Sequence, residues 1–165
     1  MVGEVEIVIR MATAVVAGAL LGWEREAHNK PAGLKTHMLV ALGSAAFMLS
    51  GVLLHNDLVA RNQAGGADLL KVLAGIVGGI GFLGAGAIFR SSGEIRGLTT
   101  AATIWMAAAV GIACGLGQYV LASAAVGLAL AVLLLMRLAE QVFFPDRPAG
   151  DAAVETDRVR ESSTQ

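Results

Sequence analysis

A long apolar segment in the middle of the chain constrains the fold more than any other feature. From Leu69 to Phe89 the only ionisable residue is Lys71, which lies near the start of the segment. A helix of about 20 apolar residues, at a rise of 1.5 Å per residue, matches the thickness of the bilayer hydrocarbon. The segment is therefore predicted to be a transmembrane helix.

The rest of the chain repeats this pattern. Hydrophobic residues make up 56% of the sequence and charged residues 15%, against about 25% charged residues in a soluble domain. The predicted fold class is an all-α membrane protein, a bundle of about five transmembrane helices. The predicted domains are a transmembrane helical domain at 1–138 and a cytoplasmic, disordered tail at 139–165, where prolines and mixed charge follow the last apolar run. Besides the 69–89 segment, the predicted spans are 7–23, 37–54, 98–116 and 119–138.

Positive charge is distributed unevenly between the connecting segments. Most of the twelve Lys and Arg residues follow the first span, the third span or the last span. The opposite side carries Arg61 and Lys71. The positive-inside bias then predicts an external N-terminus and a cytoplasmic C-terminus. Residues 1–6 lack the basic region of a signal peptide, so the first span is expected to be retained.

The third span is rich in glycine. Small residues four positions apart allow helix backbones to approach closely in lipid, so this helix is predicted to lie at the centre of the bundle. The spacing Gly79-x-Gly81-x-x-Gly84 also matches a dinucleotide-binding fingerprint, but the polar strand-to-helix turn and the later acidic residue that a cofactor needs are not in the sequence. No cofactor is predicted. The helix-packing residues are Gly75, Gly78, Gly79, Gly81, Gly84 and Gly86.

The predicted topology brings polar residues from several span ends to the cytoplasmic face. Free N–H groups at the starts of the second and fourth spans would favour an anionic ligand there, and Thr36 and Thr99 are predicted N-caps. The alternative is that these residues only anchor the helices at the interface. On the periplasmic face, Asp68 is predicted to cap the third span, with Lys71 one turn later. The candidate cytoplasmic cluster is Glu24, Arg25, Glu26, Lys35, Thr36, His37, Arg90, Arg96, Thr99 and Thr100.

No motif for catalysis, metal binding or nucleic-acid binding accompanies these residues. Glu24 and Glu26 lie about 200° apart around a helix, so they cannot both face one ion. The basic residues are scattered, which argues against nucleic acid, and the lone Cys114 excludes an intrachain disulfide. The chain is predicted not to be an enzyme. Two function classes remain: a regulatory protein that binds other membrane complexes, and a small ion transporter or channel.

Three sequence blocks resemble the MgtC/SapB family of bacterial inner-membrane proteins. They are GWEREAHNKPAGLKTHMLVALGS at 22–44, GIGFLGAG at 79–86 and GLTTAATIW at 97–105. The resemblance implies a multi-pass protein of the bacterial inner membrane that serves adaptation to low magnesium. It also implies a membrane-protein partner, for some members the F-type ATP synthase, and a homo-oligomer is a further candidate. The chain resembles a short form without the ACT-like C-terminal domain of the longest members.

Overall fold

The computed structural model describes residues 2–63, 68–91 and 94–143. The chain divides into two compact units, Met1–Leu130 and Ala131–Gln165. In the second unit the described residues are the final turns of the last helix, which continues past Leu138, its predicted end, to Phe143. The rest of the predicted tail, 144–165, lies outside the described residues.

Five helices dominate the described structure, and each is long and apolar enough to cross a membrane. The prediction of an all-α membrane protein with about five spans is confirmed. A two-stranded antiparallel hairpin, β1 (Phe89–Ser91) and β2 (Glu94–Arg96), connects the third helix to the fourth. The third helix therefore ends before Phe89, where the sequence predicted its end. The helices are α1 (Glu4–Ala27), α2 (Leu34–Ala60), α3 (Leu69–Gly86), α4 (Leu98–Gly115) and α5 (Tyr119–Phe143).

Glycines, not threonines, precede the second and fourth helices. Gly33 is the N-cap of α2 in an extended conformation, and Gly97 is the N-cap of α4 with φ of 86°, a left-handed conformation that favours glycine. The predicted threonine caps, Thr36 and Thr99, are wrong because each helix begins before its threonine. The predicted cap of α3 is confirmed, since the Asp68 carboxylate accepts a hydrogen bond of 3.1 Å from the Leu70 backbone N–H.

The centre of the described bundle is α2, with α1 and α4 packed against it at backbone distance. A Cβ added at Gly18 of α1 would lie 2.6 Å from the His37 carbonyl oxygen of α2. A Cβ added at Gly115 of α4 would lie 2.8 Å from the Ala45 carbonyl oxygen. A Cβ added at Gly111 would overlap the Ala41 carbonyl oxygen. Only glycine allows these approaches.

The helix predicted to be central, α3, lies at the edge of the bundle. No described residue comes within 4 Å of a Cβ built at any of five of its glycines, and Gly84 makes only an ordinary contact of 3.8 Å with Ala101. Of the most apolar part of α3, 11% is buried, against 61% for α4. The prediction that these glycines pack the centre of the bundle is therefore wrong within this chain. The five glycines are Gly75, Gly78, Gly79, Gly81 and Gly86.

Small side chains fill the core where α1, α2 and α4 meet the first half of α5. Because alanine and glycine dominate the contact surfaces, the helices approach closely and gain dispersion contacts instead of the hydrophobic drive that lipid cannot supply. Cys114 belongs to this core as a buried, free thiol. The core cluster is Ala14, Leu21, Ala41, Ala45, Ala107, Val110, Ala113, Cys114, Ala122 and Val126.

Candidate functional site

The three sequence blocks meet at one end of the helices, which we call the hairpin end because it carries the β-hairpin (89–96) as well as the α1–α2 loop (28–33). A groove of about 440 Å³ marks the meeting point. Its lining includes Ala32 before α2, Thr36 in α2, Ala87 after α3, and Thr100 in α4. Residues far apart in sequence thus come together, as the predicted topology required.

Two acidic residues near the end of α1 have different surroundings. Glu26 is exposed, and its Oε2 accepts a hydrogen bond of 2.9 Å from the backbone N–H of Leu34, the first residue of α2. The sequence predicted an anionic ligand at the start of α2. The Glu26 carboxylate of the chain itself takes this position. Glu24 is only 9% exposed. Among the described residues no group of three or more His, Cys, Asp or Glu side chains could hold a metal ion.

Glu24 belongs to a buried polar group with its neighbours on α1. Its Oε1 lies 3.1 Å from His28 Nδ1, which also donates to the Glu24 backbone carbonyl at 2.5 Å. Its Oε2 lies 3.6 Å from Nη1 of Arg25, a residue that is 5% exposed. These contacts hold both charges within the bundle near its hairpin end.

His37 of α2 is completely buried in the same region. Its Nδ1 lies 2.8 Å from the Gly33 carbonyl oxygen, one helical turn earlier. Because a carbonyl oxygen can only accept, Nδ1 carries the proton. Within the part of the chain that the structure describes, three buried atoms in this region have no hydrogen-bond partner, namely His37 Nε2, Arg25 Nε and Glu24 Oε2.

The remaining predicted cluster residues divide by exposure. Lys35, Arg90 and Thr99 are exposed at the hairpin end, whereas Thr100 is 3% exposed. Arg96 is mostly buried and places Nη2 3.4 Å from the Glu94 carboxylate. Its Nε and Nη1 have no hydrogen-bond partner among the described residues. The cluster therefore consists of a buried part and an exposed part.

At the opposite end, sequence reasoning missed the role of Arg10. Arg10 forms an ion pair with Glu6 and donates from Nη1 to the Gly115 carbonyl oxygen at 2.8 Å. It thereby satisfies one of the free carbonyls at the end of α4. No local signal links residues so distant in sequence. Nearby in α3, Lys71 and Asp68 form an exposed pair with 3.7 Å between Nζ and Oδ2.

The glycines that pack the bundle were also missed, although a signal existed. Gly18 and Gly22 in α1, and Gly111 and Gly115 in α4, each have the G-x-x-x-G spacing that is typical of close helix pairs in lipid. The denser glycine pattern of α3 has the same spacings. Spacing alone does not distinguish a glycine face that contacts another helix from one that does not.

Five apolar helices with polar groups at their ends define a multi-pass membrane protein. Over residues 11–142 the sequence matches the profile of the MgtC family, and the chain belongs to that family. The predicted resemblance is confirmed.

Curated relatives extend this match. The chain is 42% identical over 134 residues to Protein MgtC of Salmonella typhimurium strain LT2, covering 81% of this chain and 54% of the relative. It is 42% identical over 132 residues to Protein MgtC of Brucella abortus strain 2308, covering 80% and 52%. The chain spans about half the length of the curated relatives it matches. No solved structure matches it significantly.

Proposed function

We propose that this chain is a regulatory protein of the bacterial inner membrane that acts by binding another integral membrane complex in adaptation to low magnesium. The F-type ATP synthase is the first partner to test, as the family resemblance implies. The exposed residues of the candidate cytoplasmic cluster, which lie at the hairpin end, offer the contact surface for this partner. Lys35 and Arg90 are the exposed cations of this surface, and Thr99 supplies an exposed hydroxyl at the same end.

The observation that carries the proposal is that four hydroxyl groups within the helices donate to the backbone of their own helix. Thr13 Oγ1 donates to the Ile9 carbonyl oxygen at 2.8 Å, and Ser50 Oγ donates to the Ala46 carbonyl oxygen at the same distance. Thr103 and Ser123 likewise donate to carbonyls one turn earlier in their own helices. A transport path needs polar groups that face a hydrated passage near the midplane. Hydroxyls that are engaged with their own backbone favour the regulator over the transporter. By the same reasoning, we propose no enzymatic activity.

A small transporter of Mg²⁺ or another cation remains the second candidate because of one observation. Glu24 is a buried carboxylate inside a membrane protein, and such residues often mark ion pathways. The neighbouring guanidinium of Arg25 argues against a cation there, since it repels a second positive charge.

The test compares exposed cations at the two ends of the molecule. Affinity purification from native membranes should recover F-type ATP synthase with the wild-type chain. The double variant Lys35→Ser/Arg90→Ser should lower recovery roughly two- to thirtyfold, since each exposed pair contributes about 0.2–1 kcal/mol. Lys71→Ser, an exposed cation at the opposite end, is the matched control and should leave recovery unchanged.

A flux assay separates the two candidates. Purified protein in liposomes should carry no Mg²⁺ or other cation. Cation flux by the wild type that disappears in Glu24→Gln would overturn the regulator and establish the transporter. Equal recovery of the ATP synthase with the double variant and the wild type would exclude the exposed cations as the contact surface.

A further inference from the structure

The buried part of the hairpin-end cluster has a different character from the exposed part, and its geometry can be argued separately from partner binding. Helices α1 and α2 are antiparallel neighbours connected by the 28–33 loop. Gly18 lies beside His37, and a Cβ added at Gly22 would lie 2.7 Å from the Leu34 Cα. The two backbones are therefore in contact through the layer in which the buried polar residues lie.

The expected lean of their side chains directs Arg25 and His37 towards each other within this layer. In an α-helix each side chain leans towards the N-terminus of its own helix. Because the helices are antiparallel, Arg25 leans away from the loop, into the bundle, and His37 leans towards the loop. The Nδ1 bond to Gly33 confirms this direction for His37.

The three orphaned atoms specify what they can bind. Arg25 Nε–H is a donor, and Glu24 Oε2 is an acceptor. With the proton of neutral His37 on Nδ1, its Nε2 is a second acceptor. Buried polar groups of this kind are normally hydrogen-bonded, because an unmet donor or acceptor away from water is strongly unfavourable.

The charge of the group restricts the ligand further. The Glu24 carboxylate and the Arg25 guanidinium carry opposite charges, which cancel. An anion would face the carboxylate and the His37 lone pair, and a cation would face the guanidinium. A neutral hydroxyl group, which accepts one hydrogen bond and donates others, matches the complete set. Water is its smallest form and can donate twice.

We propose that Glu24, Arg25 and His37 form an internal water-binding site that connects α1 to α2 at the hairpin end. The bound water accepts a hydrogen bond from Arg25 Nε and donates to His37 Nε2 and Glu24 Oε2. The site lies inside the bundle, so it does not depend on any partner at the exposed residues.

The direct test is solid-state NMR of the full chain in lipid bilayers with ¹⁵N-labelled histidine. The His37 signals are assigned by their loss in His37→Gln. The expected result is an unprotonated Nε2 that receives magnetisation from water protons. A protonated Nε2, which would indicate a direct ion pair with Glu24, overturns the proposal. An unprotonated Nε2 with no transfer from water overturns it as well.

Thermal unfolding of purified variants provides an independent measurement. His37→Leu should lower the apparent melting temperature by several degrees, because the water loses an acceptor and two charged residues remain buried. His37→Gln should recover most of this loss, since its amide can donate to Gly33 and accept from the water. The combined change Glu24→Leu/Arg25→Met/His37→Leu should be more stable than His37→Leu alone. Equal stability of His37→Leu and the wild type would contradict the site.

Discussion

Individual side chains and glycines complete the helix ends of this protein. Glu26 satisfies the first backbone N–H of α2, Asp68 satisfies the second backbone N–H of α3, and Arg10 satisfies a carbonyl at the end of α4. Helix ends leave four unpaired backbone groups each, and those close to lipid have few other partners. Single residues at these ends therefore contribute to stability out of proportion to their contact area.

Two substitutions at the start of α2 should have non-additive effects on the free energy of unfolding, because both remove the hydrogen bond between Glu26 and the Leu34 N–H. Glu26→Ala removes the acceptor for the Leu34 N–H and should lower the free energy of unfolding by about 0.5–2 kcal/mol. A Cβ at Gly33 would occupy the place of the Glu26 carboxylate, so Gly33→Ala should displace the same cap. Chemical denaturation in micelles would measure both single variants and the double variant.

If the two changes act on the same cap, the double variant should be no less stable than Glu26→Ala. Fully additive losses would show that Gly33 and Glu26 act independently. Gly127→Ala is a suitable control for the glycine change, because no described residue lies within 4 Å of a Cβ at that position.

At the scale of helices, the contact between α2 and its neighbours depends on glycines that no other residue can replace. Gly111 packs against the backbone of Ala41, which cannot rotate away as a side chain could. On α3, by contrast, the glycines contact no described residue of another helix except at Gly84. The two glycine sets look similar in sequence but differ in what a larger residue would encounter.

This difference predicts opposite effects for the same substitution. Gly111→Ala should lower the free energy of unfolding by about 1–3 kcal/mol or more, because the added methyl overlaps the Ala41 carbonyl. Gly79→Ala, the matched control, should be neutral or stabilising, since alanine favours helix by about 1 kcal/mol over glycine. Titration with a denaturing detergent would compare them. Similar losses in both would show that α3 packs against a second molecule.

At the scale of the whole molecule, the two ends differ in charge. Among the described residues of the first unit, the hairpin end carries five basic residues and the other end three: Arg25, Lys30, Lys35, Arg90 and Arg96 against Arg10, Arg61 and Lys71. Basic residues are retained preferentially in the cytoplasm during insertion. The hairpin end, with the proposed contact surface, is therefore expected to face the cytoplasm.

Reporter fusions test this orientation. At Asn29, in the α1–α2 loop, and at the C-terminus, only the reporter that is active in the cytoplasm should give a signal. A reporter at Gln63, after α2, should be active only as a periplasmic fusion. Parallel fusions of an enzyme active outside the cytoplasm and a fluorescent protein active inside provide the control. The reverse pattern would place the proposed contact surface in the periplasm.

The amino-acid sequence by itself determined the number of spans, their approximate bounds and the family. Backbone groups in lipid must be satisfied within each helix, so long apolar runs such as 69–89 are readable without knowledge of their neighbours. The sequence also predicted that polar residues at several span ends would meet at one end of the bundle, because short loops make consecutive spans antiparallel. The Asp68 cap was readable too, since it depends on residues two positions apart.

Only the tertiary structure decided which helix is central. Lipid and a neighbouring helix are equally apolar, so hydrophobicity does not record which face is buried, and glycine spacing occurs on both kinds of face. The contacts of Gly111 with Ala41 and of Arg10 with Gly115 join residues that are far apart in the chain. The burial of Glu24 beside an exposed Glu26 likewise depends on where α2 crosses α1, and that crossing is set by backbone contact at Gly18 and Gly22.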